Sequence, residues 1–178
     1  MSSTIPKADR AREVLEWCRH GHRKMRSDPT MGPDWVSEWV LIWAGTIALL
    51  RAVGHVLDKE DAESDARVKK VQRAWWNTLK ATKPDPSVFW EFIERDRNLL
   101  LKQAEFTVDP SARVFGVFDS FPSHAPPPQM PPQLPPIYNY KMKSGPFAGQ
   151  DPRDLVRDAI EWWEKQLDDI EQSAASSP

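Results

Sequence analysis

Residues 34–58 read DWVSEWVLIWAGTIALLRAVGHVLD, and this stretch decides the fold. Large apolar residues recur in it every three or four positions, which is the spacing of one face of an α-helix. Further apolar residues widen that face beyond a single stripe, and a helix of this kind is usually surrounded by other helices. We therefore expect a buried helix at the centre of a bundle, with a stripe formed by Trp35, Trp39, Trp43, Ile47, Leu50 and Val53.

Two glycines, Gly45 and Gly54, interrupt this helix. A glycine inside a helix costs about 1 kcal/mol relative to alanine, so each glycine needs a compensating contact. The expected compensation is the close approach of a neighbouring helix or of a second chain, which a residue without a side chain permits.

The same stretch is too short to cross a membrane. Its uncharged run, Trp39–Leu50, has twelve residues, whereas a transmembrane helix needs about 20. Extending the run to Leu57 includes Arg51 and His55, which are costly near the centre of a bilayer. The N-terminal residues also lack the apolar segment of a secretion signal. We expect a cytoplasmic protein that does not enter the membrane.

Four other segments have the helical pattern. Three of them lie before residue 107, where short loops that contain Pro or polar residues separate the helices. Helices joined by short loops favour an antiparallel arrangement. The sequence therefore predicts a mainly α fold, namely a four-helix antiparallel bundle plus a C-terminal helix. The predicted helices besides the central one cover about 6–26, 63–82, 87–106 and 152–172, and an exposed acidic turn covers Asp58–Ser64.

The composition changes after residue 106, and this change predicts the domain organisation. Residues 112–118 and 137–143 alternate between apolar and polar, so they can pair as a small two-stranded β ribbon. We expect a helical bundle in 1–106, a Pro-rich irregular segment with that ribbon in 107–150, a C-terminal helix on the bundle in 151–172, and a disordered tail in 173–178.

Eight of the fifteen residues in 122–136 are prolines, which excludes helix and sheet and favours polyproline II geometry. Pro128 with Pro131, and Pro132 with Pro135, have the spacing of a polyproline ligand. The segment can therefore serve as a binding site for a protein partner. The alternative is a rigid strap that packs on the bundle. The residues predicted to carry either role are Pro128, Pro131, Pro132, Pro135 and Tyr138.

Charge and cysteine content exclude several classes of site. The net charge of −2 provides no general attraction for nucleic acid. Residues 7–26 are basic and residues 151–171 are acidic, which predicts two solvated helix faces that attract each other; a phosphate-binding patch is the alternative. Cys18 is the single cysteine, so we expect a buried thiol and neither a disulfide nor a thiolate metal cluster. No glycine loop or nucleophile motif is present, and we expect no cofactor and no metal.

Arg97 lies on or beside the apolar stripe of the fourth predicted helix, at helical spacing from Trp90 and Ile93. A guanidinium in that position requires a partner. We expect an acid on another helix, such as Glu38 or an acid of the last helix, and Glu94 lies one turn away as a further candidate binding residue.

Arg51 and His55 are four residues apart and share one face of the central helix. A histidine can move protons while an arginine stabilises the charge that develops on a phosphate, so this pair is a candidate for phosphodiester cleavage. The alternative is structural, since a histidine at the end of a helix often satisfies a backbone carbonyl.

The helical pattern with Arg97 and Asn98 on a late helix resembles the HEPN superfamily. The resemblance implies a homodimer in which two arginine–histidine motifs face each other, and in active members metal-independent cleavage of RNA. Here no histidine follows at the expected spacing, where Lys102 and Gln103 occupy the nearby positions. The resemblance therefore implies a catalytically degenerate member.

Three functions remain as hypotheses. The first is a helical binding or regulatory module, HEPN-like and dimeric, without catalysis. The second is a ribonuclease of the toxin or phage-defence type that uses Arg97 or Arg51 with His55. The third is a protein that binds a partner through its polyproline segment.

Overall fold

A computed structural model describes residues 7–27, 38–109 and 140–176. Within these ranges the chain is mainly helical with a two-stranded antiparallel sheet, which confirms the predicted fold class. A first π-helical segment, Leu57–Asp61, follows the second helix, and a second, Val88–Glu94, leads into the fourth. The helices are α1 (Asp9–Ser27), α2 (Glu38–Val56), α3 (Ala66–Ala81), α4 (Arg95–Gln103) and α5 (Pro152–Ala175).

The central helix α2 buries its predicted stripe. α1, α4, α5 and the second π-helical segment all contact α2, so its position inside the bundle is confirmed. Trp35 and the predicted start of the helix lie outside the described residues. The buried stripe residues are Trp39, Trp43, Ile47, Leu50 and Val53.

One face of α2 is covered by no described part of the chain. Leu41 is 58% exposed there, and Trp17 of α1 is 47% exposed nearby. Trp17, Ile42, Gly45 and Leu49 line an apolar hollow of about 300 Å³ between the two helices, which we call the α1–α2 hollow. Among the described helices, none covers this face of α2, so the expected neighbours on every side are not found there.

α1 and α5 attract each other through opposite charges, as predicted. Arg12 donates to Asp168 and Glu171 at 2.6 Å each. Arg19 pairs with Glu164, and Arg26 lies 3.5 Å from Asp154. The basic residues of α1 that could have formed a phosphate-binding patch are thus partly neutralised by the acidic face of α5.

The expected turn at 58–64 is wrong, although Lys59, Glu60, Glu63 and Ser64 are exposed as expected. The chain remains helical there, through the first π-helical segment and a short turn of α-helix at Ala62–Ser64. Asp61 is buried, and its carboxylate accepts hydrogen bonds from the backbone N–H groups of Arg10 at 3.0 Å and Ala11 at 2.9 Å, which offset the cost of burial. The segment therefore caps the first turn of α1, whose amide groups have no partner within their own helix.

The small sheet pairs Val108–Asp109 (β1) with Lys141–Met142 (β2) in antiparallel register. β2 falls inside the predicted strand 137–143, whereas the predicted partner 112–118 lies outside the described residues and β1 precedes it. The ribbon is held on the bundle by Tyr140, whose ring stacks on Trp39 at a centroid distance of 3.7 Å.

The C-terminal helix is longer than predicted. α5 continues to Ala175 rather than ending near residue 172, because Ala174 still packs in the core. Cys18 is buried, as expected, and burial raises the pKa of its thiol to about 12.

By length and hydropathy alone, the continuous helical stretch Glu38–Ser64 could cross a membrane. The core helix of a soluble protein passes the same test. Here the tryptophan stripe of the stretch is buried against α1, α4 and α5. Of the most apolar 18-residue window in this stretch, 39% is buried.

Candidate functional site

A cavity of about 140 Å³ lies at the C-terminal end of α2, where it meets α3, α5 and the second π-helical segment. Aromatic rings form much of its wall, and we call it the tryptophan cavity. It is partly open to solvent. The residues that line it are Arg51, Gly54, His55, Asp58, Gln72, Trp75, Trp76, Phe89 and Trp163.

The aromatic wall consists of rings that pack at inclined angles. The ring centroids of Trp75 and Trp163 are 5.8 Å apart, and those of Phe89 and Trp76 are 6.0 Å apart. Such tilted and edge-on pairs are favoured by the charge distribution of the rings. The indole N–H of Trp75 donates to Gln166 at 2.8 Å, which holds this wall in one orientation.

Gly54 allows α5 to approach α2 at the cavity. A Cβ atom at Gly54 would lie 2.8 Å from Cη2 of Trp163, so a side chain there would collide with the indole. The expected close approach of a neighbouring helix is confirmed for Gly54. A Cβ atom at Gly45 would meet nothing within 4 Å, so no helix of the described chain compensates for that glycine.

Two buried polar groups of the cavity wall have no hydrogen-bond partner in the described part of the chain. They are the side-chain oxygen of Gln72, a residue that is 4% exposed, and the indole N–H of Trp163, a residue that is fully buried. Buried polar groups are nearly always paired, and an unpaired one costs about 1–3 kcal/mol. Neither atom has accessible surface in the cavity, and the indole N–H of Trp43 is unpaired in the same way elsewhere in the described core.

The predicted site residues of α2 and α4 form one hydrogen-bonded chain. Arg51 pairs with Glu94, and Glu94 also accepts from the side-chain amide of Asn98 at 3.3 Å. Asn98 in turn accepts from Arg97 at 2.9 Å. The expectation that Arg97 reaches an acid on another helix is wrong. Arg51 makes that interhelical ion pair instead, because it faces the π-helical segment that carries Glu94.

Arg51 and His55 both line the tryptophan cavity, so the structure brings this predicted pair to one site. The other candidates lie elsewhere. Arg97 and Asn98 do not line the cavity, and Lys102 is exposed on α4. The arginine–asparagine pair and His55 therefore do not share a cleft.

The two charged residues that line the cavity, Arg51 and Asp58, have opposite signs. The guanidinium carbon of Arg51 lies 5.9 Å from the ring centroid of Trp76 and 5.8 Å from that of Phe89. The ammonium group of Lys80 lies 5.8 Å from the ring centroid of Trp76 as well. The acid in the wall, Asp58, is paired with its neighbour Lys59 at 2.8 Å.

The predicted proline site cannot be compared with the structure. Pro128, Pro131, Pro132, Pro135 and Tyr138 lie outside the described residues, and their binding role stays a prediction. Among residues 7–27, 38–109 and 140–176, no group of three or more His, Cys, Asp or Glu side chains is arranged to hold a metal ion.

No family model, no curated protein and no solved structure matches this chain. The cavity geometry is therefore the observation from which a function can be argued.

Asp96 is a buried acid that the sequence reasoning missed. It is 1% exposed, and neither of its carboxylate oxygens has a hydrogen-bond partner of good geometry in the described chain. Burial raises the pKa of Asp96 to about 7, while the neighbouring Thr107 and Arg95 oppose the shift only in part. The folded state therefore favours the protonated acid.

This raised pKa predicts a pH dependence of stability. Below its unfolded pKa near 4, Asp96 contributes fully to the free energy of unfolding. As the pH rises from there through 7, this contribution of roughly 3–4 kcal/mol is lost, because the unfolded state releases its proton first. We expect the free energy of unfolding to fall between pH 5 and pH 8 in the wild type and to fall much less in Asp96→Asn. Urea unfolding at both pH values measures this, with the exposed Asp169→Asn as the control. Equal slopes in Asp96→Asn and wild type would contradict it.

Proposed function

We propose that this chain is a cytoplasmic helical binding module, HEPN-like in its bundle, that holds a small ligand in the tryptophan cavity and performs no catalysis. The cavity itself carries the proposal, because its volume is about 140 Å³ and three tryptophan rings and one phenylalanine ring lie in its wall. A concave site that combines aromatic rings with polar side chains has the general features of a small-molecule site.

The polar contacts of Arg51 and its neighbours support binding over catalysis. Glu94 already neutralises Arg51, so this cation is not free to stabilise a developing phosphate charge. His55 is exposed and has no hydrogen bond to an orienting carboxylate among the described residues. A general base normally needs such a partner to hold its ring in place.

Two glycine variants of α2 test the ligand site. Gly54→Ala places a methyl group 2.8 Å from the Trp163 ring and should displace that wall, whereas Gly45→Ala adds the same group where nothing lies within 4 Å. In NMR titrations with a set of one-ring aromatic compounds, we expect a compound that shifts the Trp163 indole N–H resonance in the wild type and in Gly45→Ala. The shift should be much smaller in Gly54→Ala.

The resonance of Trp163 is assigned by its loss in Trp163→Phe. The proposal fails if no compound shifts this resonance, or if the shift is unchanged in Gly54→Ala.

The alternative function is a metal-independent ribonuclease, which is supported by the presence of Arg51 and His55 in one cavity. Incubation of purified protein with RNA separates the two functions. We expect no cleavage by the wild type, His55→Gln or Arg97→Ala. Because His55 is exposed, its replacement should leave the fold intact. Cleavage by the wild type that His55→Gln abolishes would establish the ribonuclease and overturn the binding proposal.

A homodimer is the second part of the proposal, and the α1–α2 hollow is the surface that favours it. The hollow is apolar, and the exposed Leu41 lies one helical turn from Gly45 on its floor. A two-fold interface requires one patch to supply both the projecting side chain and the space that receives it. Leu41 and the open space over Gly45 meet that requirement.

Sedimentation velocity tests the dimer. We expect the wild type to sediment as a dimer and Leu41→Glu as a monomer, because a carboxylate would be buried without a partner. The control is Leu101→Glu, which changes an equally exposed leucine on α4 and should leave the dimer intact. A monomeric wild type would contradict this part of the proposal.

A further inference from the structure

The helix α3 and the turn that follows it carry an excess of positive charge. Residues 66–83 contain six cations and no acid. Arg67 pairs with Asp65 at 2.8 Å, and this acid precedes the helix. Lys69 pairs in the same way with Glu63 at 2.6 Å. The other cations form no ion pair within the described chain, and they are Lys70, Arg73, Lys80 and Lys83.

The unpaired cations of α3 lie on one exposed face of the helix. Lys70, Arg73 and Lys80 follow one another after three and seven residues, and side chains at these spacings share one side of an α-helix. Asn77 is exposed on the same side, between Arg73 and Lys80. Lys83 is exposed in the turn that follows. We call this surface the α3 ridge, and it consists of Lys70, Arg73, Asn77, Lys80 and Lys83.

The ridge is held in place by the packing beneath it. On the opposite side of α3, Val68, Gln72 and Leu79 are buried, which fixes the helix on the bundle. The ammonium group of Lys80 lies 5.8 Å from the ring centroid of Trp76, and that of Lys83 lies 5.0 Å from the ring centroid of Trp90. The attraction between an ammonium group and an indole face restricts these flexible side chains, so less freedom is lost when they bind an anion.

We propose that the α3 ridge is a binding surface for nucleic acid, which it contacts through the phosphate backbone without reading the base sequence. This inference goes beyond the proposed function and does not depend on it, because none of the ridge residues lines the tryptophan cavity.

The absence of apolar anchors on the ridge favours nucleic acid over other anionic partners. The exposed large apolar side chains of the described chain are Trp17, Leu41 and Leu101, and none of them belongs to the ridge. A protein partner is held mainly by buried aromatic and apolar anchors at the centre of its interface. A membrane surface is held by apolar groups that enter it in addition to basic residues. Nucleic acid requires neither, since contacts from Lys and Arg to phosphate supply its non-specific affinity.

The net charge of −2 does not oppose such local binding. Exposed charges are screened beyond about 8–10 Å at physiological salt, so an anion on the ridge interacts mainly with the ridge. From Lys70 to Lys80 the ridge is about 15 Å long, because an α-helix rises about 1.5 Å per residue. A duplex carries one phosphate charge about every 1.7 Å of its axis, so each cation along the ridge has a phosphate within reach.

Fluorescence anisotropy of a short labelled DNA duplex of mixed sequence measures the binding. We expect the wild type to bind this duplex at about 50 mM salt. The logarithm of the association constant should fall with the logarithm of the salt concentration with a slope of about −3 to −4, because the ridge supplies four cations and each neutralised phosphate contributes about −0.9. A duplex of another sequence, and the single strand of the first, should bind within about ten-fold of it.

Two double variants with the same change in net charge test the site. Lys70→Gln with Arg73→Gln should weaken binding about ten-fold or more and reduce the salt slope by about 2, since two phosphate contacts are lost. Both positions are exposed and glutamine is a good helix former, so the fold should be retained. The control is Lys141→Gln with Lys143→Gln, which changes two exposed lysines outside the ridge and should bind as the wild type does.

Each other outcome overturns the inference. If the wild type does not bind the duplex, or if the control loses as much affinity as the ridge variant, the ridge is not a nucleic-acid site. If the single strand binds far more tightly than the duplex, contacts to the bases rather than to phosphate dominate. If polyglutamate or phosphatidylserine vesicles displace the labelled duplex as well as unlabelled duplex does, the partner is an acidic protein or a membrane. None of these results affects the tryptophan cavity, which the Trp163 resonance tests separately.

Discussion

The contact between Trp163 and Gly54 is the constraint on which the tryptophan cavity depends. Because Gly54 has no side chain, the indole on α5 lies against the backbone of α2. That approach sets the distance between α2 and α5 and places Trp163 beside Trp75 and Phe89. The same arrangement leaves the indole N–H of Trp163 without a partner from the described chain.

The electrostatics of the bundle separate a neutralised side from a basic one. The cations of α1 are paired with the acids of α5, so they stabilise the helix packing and offer little to a polyanion. α3, in contrast, contains no acid between residues 66 and 81, and it contributes Gln72, Trp75 and Trp76 to the cavity wall. At the cavity itself the charges are balanced, because Arg51 pairs with Glu94 and Asp58 with Lys59.

The chain from Arg51 through Glu94 and Asn98 to Arg97 explains why the HEPN-like residues need not act as a nuclease centre. Each group in the chain already has a polar partner, and together they join α2 to α4. A buried or half-buried arginine is stable only when it is paired in this way. Arg97 and Asn98, from which the resemblance was drawn, thus have a sufficient structural role.

The sequence by itself determined the helical class, the buried stripe of α2 and the attraction between α1 and α5. It also determined that Arg51 and His55 lie on one face of α2. All of these follow from periodicity and from charge, which are properties of neighbouring residues. A weaker signal was present for the polar residues, since Gln72 and Asp96 occupy positions that apolar spacing would assign to the core. Spacing alone could not show that they lack partners. Only the tertiary structure decided that Glu94 pairs with Arg51, that Asp61 caps α1, and that residues of α2, α3 and α5 line one cavity. The physical reason is that hydrogen bonds and close packing between distant segments depend on where the helices cross, and that crossing is set by the whole core at once.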